Sequence, residues 1–117
     1  MNGQLICRSV MTVISIANDF SDTPLGRFPE DGDYNGQKFR DKYLVPKLRE
    51  GDVVVSLDGV EGFGSSFLEE AFGGLVRKGV FSPTELKGRL KISYDDPTYA
   101  VYERLIWRYI NEAKPER

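Results

Sequence analysis

The strongest constraint on the fold is a short apolar run, VVVSL at residues 53–57, which follows the turn-forming pair Gly51-Asp52. Apolar residues at successive positions leave no solvent-facing side, so this run predicts a central strand buried on both faces. Residues 10–17 (VMTVISIA) carry β-branched side chains on both faces and predict a second strand covered on both sides. Residues 89–94 (RLKISY) alternate and predict a half-exposed strand.

Amphipathic helices are predicted between and after these strands. Residues 36–50 form an amphipathic segment that Pro46 should kink or break, and residues 66–78 form one wide apolar face. The pair Gly73-Gly74 weakens that second helix by about 1 kcal/mol per glycine, which predicts close packing or a bend. Ser82 is a predicted helix cap, and a last helix follows Pro97.

Strands that alternate with helices need crossover connections, so the pattern predicts a single α/β domain over residues 1–117. We expect a mostly parallel or mixed sheet of about four strands with three to four helices. The fourth strand would come from residues 4–7 (QLIC), and the tail at residues 114–117 should fray.

Composition argues against several functional classes. The net charge of −2 provides no positive field for nucleic acid, and no apolar run reaches the roughly 18 residues of a membrane span. The chain has no histidine and a single cysteine, Cys7, so the usual general base, a disulfide and a structural zinc site are disfavoured. We expect a cytoplasmic protein without a catalytic residue, a metal or a cofactor, and the start of the chain does not resemble a signal peptide.

Residues 18–35 form a long polar loop rich in Asp, Gly and Pro. Loops of this length in compact chains are often functional, although a solvated surface excursion is an equal alternative. Arg27 in this loop and Arg40 in the next helix could reach an anion bound near the serines described below. They could equally form ion pairs with the loop aspartates.

Two serines stand at a predicted helix start, just past the carboxyl end of the central strand, where α/β sheets commonly place functional groups. Free amides and the helix dipole would favour a phosphate or carboxylate there. Ser66 and Glu69 have the spacing of a capping box, which leaves Ser65 as the better candidate for modification or ligand contact. The nearby carboxylates are expected to be partners of the helix dipole more than acid–base groups or cation ligands; they are Asp58, Glu61, Glu69 and Glu70.

Four motifs together resemble the STAS-like domain family of unknown function, over nearly the whole chain. The motifs are GRFPEDG at 26–32, NGQKFRDKYLVPKL at 35–48, DGVEGFGSSFLEEAFGGLV at 58–76 and RLKISYDDP at 89–97. That family is similar to the STAS domains of anti-sigma factor antagonists, in which a partner kinase of the histidine-kinase ATPase fold phosphorylates a serine at the start of the second helix. The resemblance implies a STAS-like fold and places Ser65 at the phosphoacceptor position. Gly64 and Phe67 stand where those antagonists carry aspartate and glycine.

The sequence therefore predicts a non-catalytic regulatory or protein-binding module that could switch partners through phosphorylation. Its recognition turn would comprise Asp58, Gly62, Phe63, Gly64 and Phe67 around the two serines. Two alternatives remain open. One is a small sensor or minor enzyme that binds an anionic ligand through the serine turn and the Asp/Arg loop, and the other is a structural homo-oligomer, suggested by the glycine pair and by Trp107 lying off the apolar stripe of the last helix.

Overall fold

The structure is a computed structural model that describes residues 11–116. Within this range the sheet has three parallel strands in the order β1-β2-β3. The strands are β1 (Met11–Ser15), β2 (Asp52–Ser56) and β3 (Leu90–Ser93). The α/β prediction is confirmed with one strand fewer than expected, and the possible strand at residues 4–7 lies outside the described residues.

Among the described residues four helices accompany the sheet, and two of them change hydrogen-bonding pattern part-way. Helix α1 (residues 36–50) runs through Gly36–Phe39, the π-helical turn Arg40–Leu44 and Val45–Glu50. Helix α2 (residues 65–77) runs through Ser65–Leu68, the π-helical turn Glu69–Gly73 and Gly74–Arg77. Helices α3 (Pro83–Arg89) and α4 (Ala100–Glu112) are α-helical throughout. Shorter helical turns occupy Ile16–Phe20, Pro29–Asp31 and Pro97–Tyr99. None of the helices in residues 11–116 has both the length and the apolar character needed to cross a membrane.

The interruption predicted at Pro46 takes the form of a π-helical turn. The Val45 N–H donates to the Arg40 carbonyl five residues back, directly before the proline. Pro46 has no N–H to donate and its ring crowds the preceding turn, so a wider turn in front of it lets the helix continue. Helix α1 therefore remains one element and carries Arg40 at the start of its π-helical turn.

In the described part of the chain, helices cover the sheet on one face, which corrects the prediction that the first two strands are buried on both sides. Ile14, Val53 and Val55 are fully buried, whereas Val13 is 63% exposed and its neighbour Val54 is half-buried. Both crossovers, from β1 to β2 and from β2 to β3, step in the same direction across the sheet. Right-handed connections that step the same way place their helices on the same face.

An aromatic cluster holds α1 and α2 together beneath the carboxyl end of the sheet. Phe39 of α1 lies 5.9 Å from Phe67 and 6.2 Å from Phe72 of α2, measured between ring centroids. Phe20, in the turn after β1, lies 5.1 Å from Phe39. These rings confirm the predicted apolar face of α2 and fix the position of its first two turns.

The last helix and the tail also pack against the rest of the domain. Trp107 is half-buried against the core, so its position off the helix stripe is explained by contacts within the chain. The Glu116 N–H donates to the Arg77 carbonyl at 2.8 Å, and the Glu116 carboxylate lies 3.3 Å from the Lys78 ammonium. The tail is thus attached to the C-terminal end of α2 as far as Glu116, where a frayed segment was expected, because the last carbonyls of a helix need donors.

Candidate functional site

The loop between β2 and α2 is anchored by the loop that follows β3. The Asp58 carboxylate accepts the Asp95 N–H at 3.0 and 3.1 Å, and the Tyr99 hydroxyl donates to the Val60 carbonyl at 2.5 Å. On the other side, the Glu61 N–H donates to the carbonyl of Asp22, in the loop after β1, at 3.0 Å. The segment that leads into the two serines is therefore held from both sides at the carboxyl end of the sheet.

Two of the residues predicted to form the recognition turn are buried beneath it. The Phe63 ring stacks on Phe67 at 6.1 Å and meets Tyr102 of α4 edge-on at 5.0 Å. Both phenylalanines belong to the core, so they support the turn from below. Gly64 is exposed and Gly62 is half-buried, which leaves the backbone and the serines as the accessible part of the turn.

Helix α2 begins at Ser65, two residues earlier than a Ser66 cap requires. Its N-cap is Gly64, which has no side chain to accept a hydrogen bond, and Ser66 therefore lies inside the helix. The predicted capping box between Ser66 and Glu69 is wrong, because Glu69 turns away to bind arginines. Within residues 11–116, the amides of Ser65, Ser66 and Phe67 have no acceptor. Ser65 is exposed and Ser66 is half-buried.

The start of α3, unlike that of α2, has side chains that cap the helix. The Ser82 hydroxyl accepts the Glu85 N–H at 3.1 Å, and the Glu85 carboxylate accepts the Ser82 N–H at 2.8 Å. This reciprocal pair is a capping box and confirms the prediction for Ser82. The serines of α2 have no equivalent role.

The second turn of α2 carries two glutamates that are held by three arginines. Glu70 is 2% exposed and accepts Arg40 Nη1 at 2.5 Å on one oxygen and Arg77 Nη2 at 2.9 Å on the other. Glu69 accepts Arg27 on one oxygen and Arg77 on the other. We call these five residues the ion-pair cluster. Its carboxylates are saturated by guanidinium groups, which corrects the prediction that they act as partners of the helix dipole.

Arg40 is the buried cation of the ion-pair cluster. It is 4% exposed, and besides Glu70 it binds the Asp41 carboxylate through Nε at 2.8 Å and the Glu70 carbonyl at 3.1 Å. Burial by itself lowers the pKa of Arg40, but the hydrogen bonds to Asp41 and Glu70 outweigh burial, and the net pKa is raised. Arg40 is therefore permanently charged and fully engaged, and it is not free to meet an anion at the serines.

The glycine pair of α2 makes room for these charged groups. A Cβ on Gly74 would lie 2.5 Å from Arg40 Nη1, and a Cβ on Gly73 would lie 2.9 Å from a carboxylate oxygen of Glu69. The pair is explained by packing within the chain, as the sequence predicted, and needs no second copy of the protein.

The long polar loop is fixed in place and positions Arg27. The Asp31 carboxylate accepts the N–H groups of Arg27 at 3.0 Å and Phe28 at 3.1 Å. These two hydrogen bonds hold the pKa of Asp31 below its usual value, and the bond from Phe28 has a larger effect than the bond from Arg27. The Gly26 carbonyl accepts the N–H of Gly36 at the start of α1 at 2.9 Å. The Arg27 guanidinium extends to glutamates of α2, so the predicted ion pair with a loop aspartate is wrong, and only the backbone N–H of Arg27 binds Asp31.

The sequence analysis did not identify Arg77. This arginine follows Glu69 by eight residues and Glu70 by seven, which is about two helical turns and places all three on one side of α2. The available signal for Arg77 was its position two turns after the glutamate pair, next to an otherwise apolar face. Within residues 11–116, no three Asp, Glu or Cys side chains come together as a possible metal site.

Comparison with known protein families assigns the chain to one of them. The family model for the STAS-like domain of unknown function matches residues 35–100, which are 66 of the 117 residues. The match includes α1, β2, the serine turn, α2, α3 and β3. Searches of curated proteins and of solved structures found no significant match. The parallel sheet, the order of its helices and this match together show that the chain belongs to the family of STAS-like domains of unknown function.

Proposed function

We propose that this STAS-like domain is a non-catalytic regulatory module that binds a protein partner at the first turn of α2, and that phosphorylation of Ser65 switches this binding. One observation carries the proposal. Ser65 is the exposed first residue of a helix whose leading amides have no acceptor among residues 11–116 and whose preceding loop is anchored on both sides. A fixed, exposed and internally unused group is suited to recognition by another molecule.

A phosphate is well accommodated at this position. Phosphoserine carries about −1.5 to −2 charges and three strong acceptor oxygens, and the start of a helix offers free N–H groups and a positive dipole end. The reaction transfers the γ-phosphoryl group of ATP to Ser65 Oγ, while the hydroxyl proton passes to a base of the kinase and ADP leaves. The resemblance to anti-sigma factor antagonists supports a histidine-kinase-fold ATPase as the partner that supplies this step.

The surroundings of the turn determine how the switch acts. Asp58 and Asp95 lie beside the turn, and Glu61 is exposed just before it. A phosphate adds negative charge to a surface that is already acidic, so it repels an acidic partner surface or engages an arginine of the partner. The bound partner therefore differs between the two states of Ser65.

The anionic-ligand sensor is favoured by no observation of this structure. It needs Arg27 and Arg40 to meet a ligand at the serines together, and the buried Arg40 is held by Glu70 and Asp41. The protein-binding proposal needs neither arginine to be free.

The proposal is tested by measuring partner affinity for Ser65→Ala, Ser65→Asp and the matched control Ser82→Asp. The control introduces the same charge at another helix start, where aspartate still caps the helix. The partner is recovered with the tagged wild-type protein, and its affinity for each variant is measured by calorimetry. We expect Ser65→Ala and Ser82→Asp to bind like the unphosphorylated wild type and Ser65→Asp to change the Kd by about tenfold or more, equivalent to about 1.4 kcal/mol. Equal affinities for all four proteins would overturn the proposal.

A further inference from the structure

Arg27 is the exchangeable member of the ion-pair cluster. Its side chain is 38% exposed and that of its partner Glu69 is 24% exposed, whereas Arg40 and Glu70 are almost fully enclosed. An ion pair in contact with water contributes little net stability, because its Coulomb attraction is screened and its side chains lose freedom. Arg27 Nη1 also lies 3.7 Å from Glu70 Oε1, but Glu70 keeps Arg77 on that oxygen and Arg40 on the other. Arg27 can therefore leave both glutamates while the buried Arg40–Glu70 pair stays intact.

Glu69 would remain paired after such an exchange. Its second carboxylate oxygen accepts Arg77, which also binds Glu70. No carboxylate of the cluster is left without a cation, so the main penalty that normally opposes removing an arginine from a carboxylate is absent.

The serine turn lies within reach of Arg27. The Glu69 N–H donates to the Ser65 carbonyl, so the side chains of Ser65 and Glu69 lie one helical turn apart on the same side of α2. The loop is also held beside this turn, because Gly26 binds Gly36 and a Cβ on Gly36 would lie 2.8 Å from the Phe67 carbonyl.

We infer that a phosphate on Ser65 takes Arg27 from Glu69. This inference rests on the proposed phosphorylation of Ser65 and describes its consequence within the domain. A phosphate carries more charge than a carboxylate and offers three oxygens to the planar guanidinium, so it is the stronger ligand for Arg27. The step breaks one ion pair, forms another and needs no further reactant.

The exchange couples the long loop to the serine turn. Arg27 moves along α2 by about one helical pitch, or about 5.4 Å, towards the phosphate. Phosphorylation then changes the shape of the recognition surface as well as its charge.

The exchange is tested with protein that carries phosphoserine at position 65, incorporated during synthesis. The phosphate is titrated by phosphorus NMR in the wild type, in Arg27→Gln and in the control Arg108→Gln. Arg108 forms an exposed pair with Glu112 on α4 and matches the charge change. A bound guanidinium favours the dianion, so the titration midpoint should lie at lower pH in the wild type and Arg108→Gln than in Arg27→Gln. The same midpoint in the wild type and Arg27→Gln would overturn the inference.

A second variant separates exchange from general electrostatics. Glu69→Gln removes the competitor for Arg27, so it should lower the midpoint further, and by more than it does in the Arg27→Gln background. Equal effects of Glu69→Gln in both backgrounds would contradict direct competition. Amide hydrogen exchange at Gly36 and Gln37, which bind the carbonyls of Gly26 and Arg27, should change on phosphorylation only when Arg27 is present.

These readouts are independent of the partner. Because the phosphate is already installed, an Arg27-dependent midpoint with equal partner affinities would uphold the exchange and refute the proposed function. Partner affinities that depend on Ser65, together with a phosphate titration midpoint that is the same with and without Arg27, would refute the exchange alone.

Discussion

The first and second turns of α2 are adjacent in one helix and have opposite properties. The first turn has an exposed Ser65 and amides that find no acceptor in the part of the chain that the structure describes, whereas the second has two glutamates whose oxygens are all held by arginines. The charged residues of the second turn look functional in the sequence, yet their side chains form ion pairs that join α1, α2 and the long loop. The neutral turn beside them is the part left free for another molecule.

A similar contrast appears between the glycines of α2 and the glycine of α3. Gly73 and Gly74 of α2 leave space that Glu69 and Arg40 fill, whereas Gly88 of α3 has open space around it. A glycine in a helix is thus a packing requirement in one element and a plain loss of stability in the other.

The largest expected effect comes from removing Glu70. Glu70→Leu leaves Arg40 enclosed with Asp41 as its remaining carboxylate, and we expect the free energy of unfolding to fall by about 3–5 kcal/mol. The measurement is urea denaturation followed by circular dichroism. The control Glu112→Gln removes an exposed carboxylate and should change stability by no more than about 0.5 kcal/mol.

The double variant Arg40→Met/Glu70→Leu sharpens this result. Replacing a buried pair by apolar residues of similar volume is often tolerated, so much of the lost stability should return. A double variant that is as unstable as the sum of both single variants would show that the two side chains do not act as a pair.

The next effect compares the glycines. Gly74→Ala forces a methyl group to within 2.5 Å of Arg40 Nη1, so we expect a loss of about 1–3 kcal/mol despite the better helix propensity of alanine. Gly88→Ala meets nothing within 4 Å and should stabilise the protein by up to about 1 kcal/mol. Equal effects of the two substitutions would mean that Arg40 does not occupy the space beside Gly74.

The smallest effects concern the helix starts. Ser82→Ala removes a capping box and should cost about 1 kcal/mol, whereas Ser65→Ala removes no cap and should change stability by less than about 0.5 kcal/mol. Thermal denaturation of both variants provides the measurement. A Ser65→Ala variant as destabilised as Ser82→Ala would show that Ser65 serves the fold.

The order of elements was predictable because each depends on local pattern. The apolar run at 53–57 and the wide apolar face of 66–78 indicate a strand and a helix without reference to the rest of the chain. The coverage of the sheet was not predictable in this way. Val13 and Val54 are apolar and were expected to be buried, but the common direction of both crossovers leaves their face without helices from residues 11–116.

The position of the candidate site was predictable from the sequence, but the side chains that its charged residues bind were not. The serines do lie at a helix start after β2, but the motif Ser66-x-x-Glu69 predicted a cap two residues too late. The error arises because Glu69 has stronger partners in Arg27, which is distant in sequence, and in Arg77, which lies two turns further along α2. Short-range patterns do not reveal which of several arginines a carboxylate will meet.

The most direct test is to isolate the protein from its native cells, measure its intact mass and map any phosphate by peptide sequencing. The account predicts a fraction of molecules heavier by one phosphate, with the phosphate on Ser65 and none on the capping serine Ser82. A phosphate at another residue in place of Ser65, or an unmodified Ser65 under all growth conditions, would contradict it.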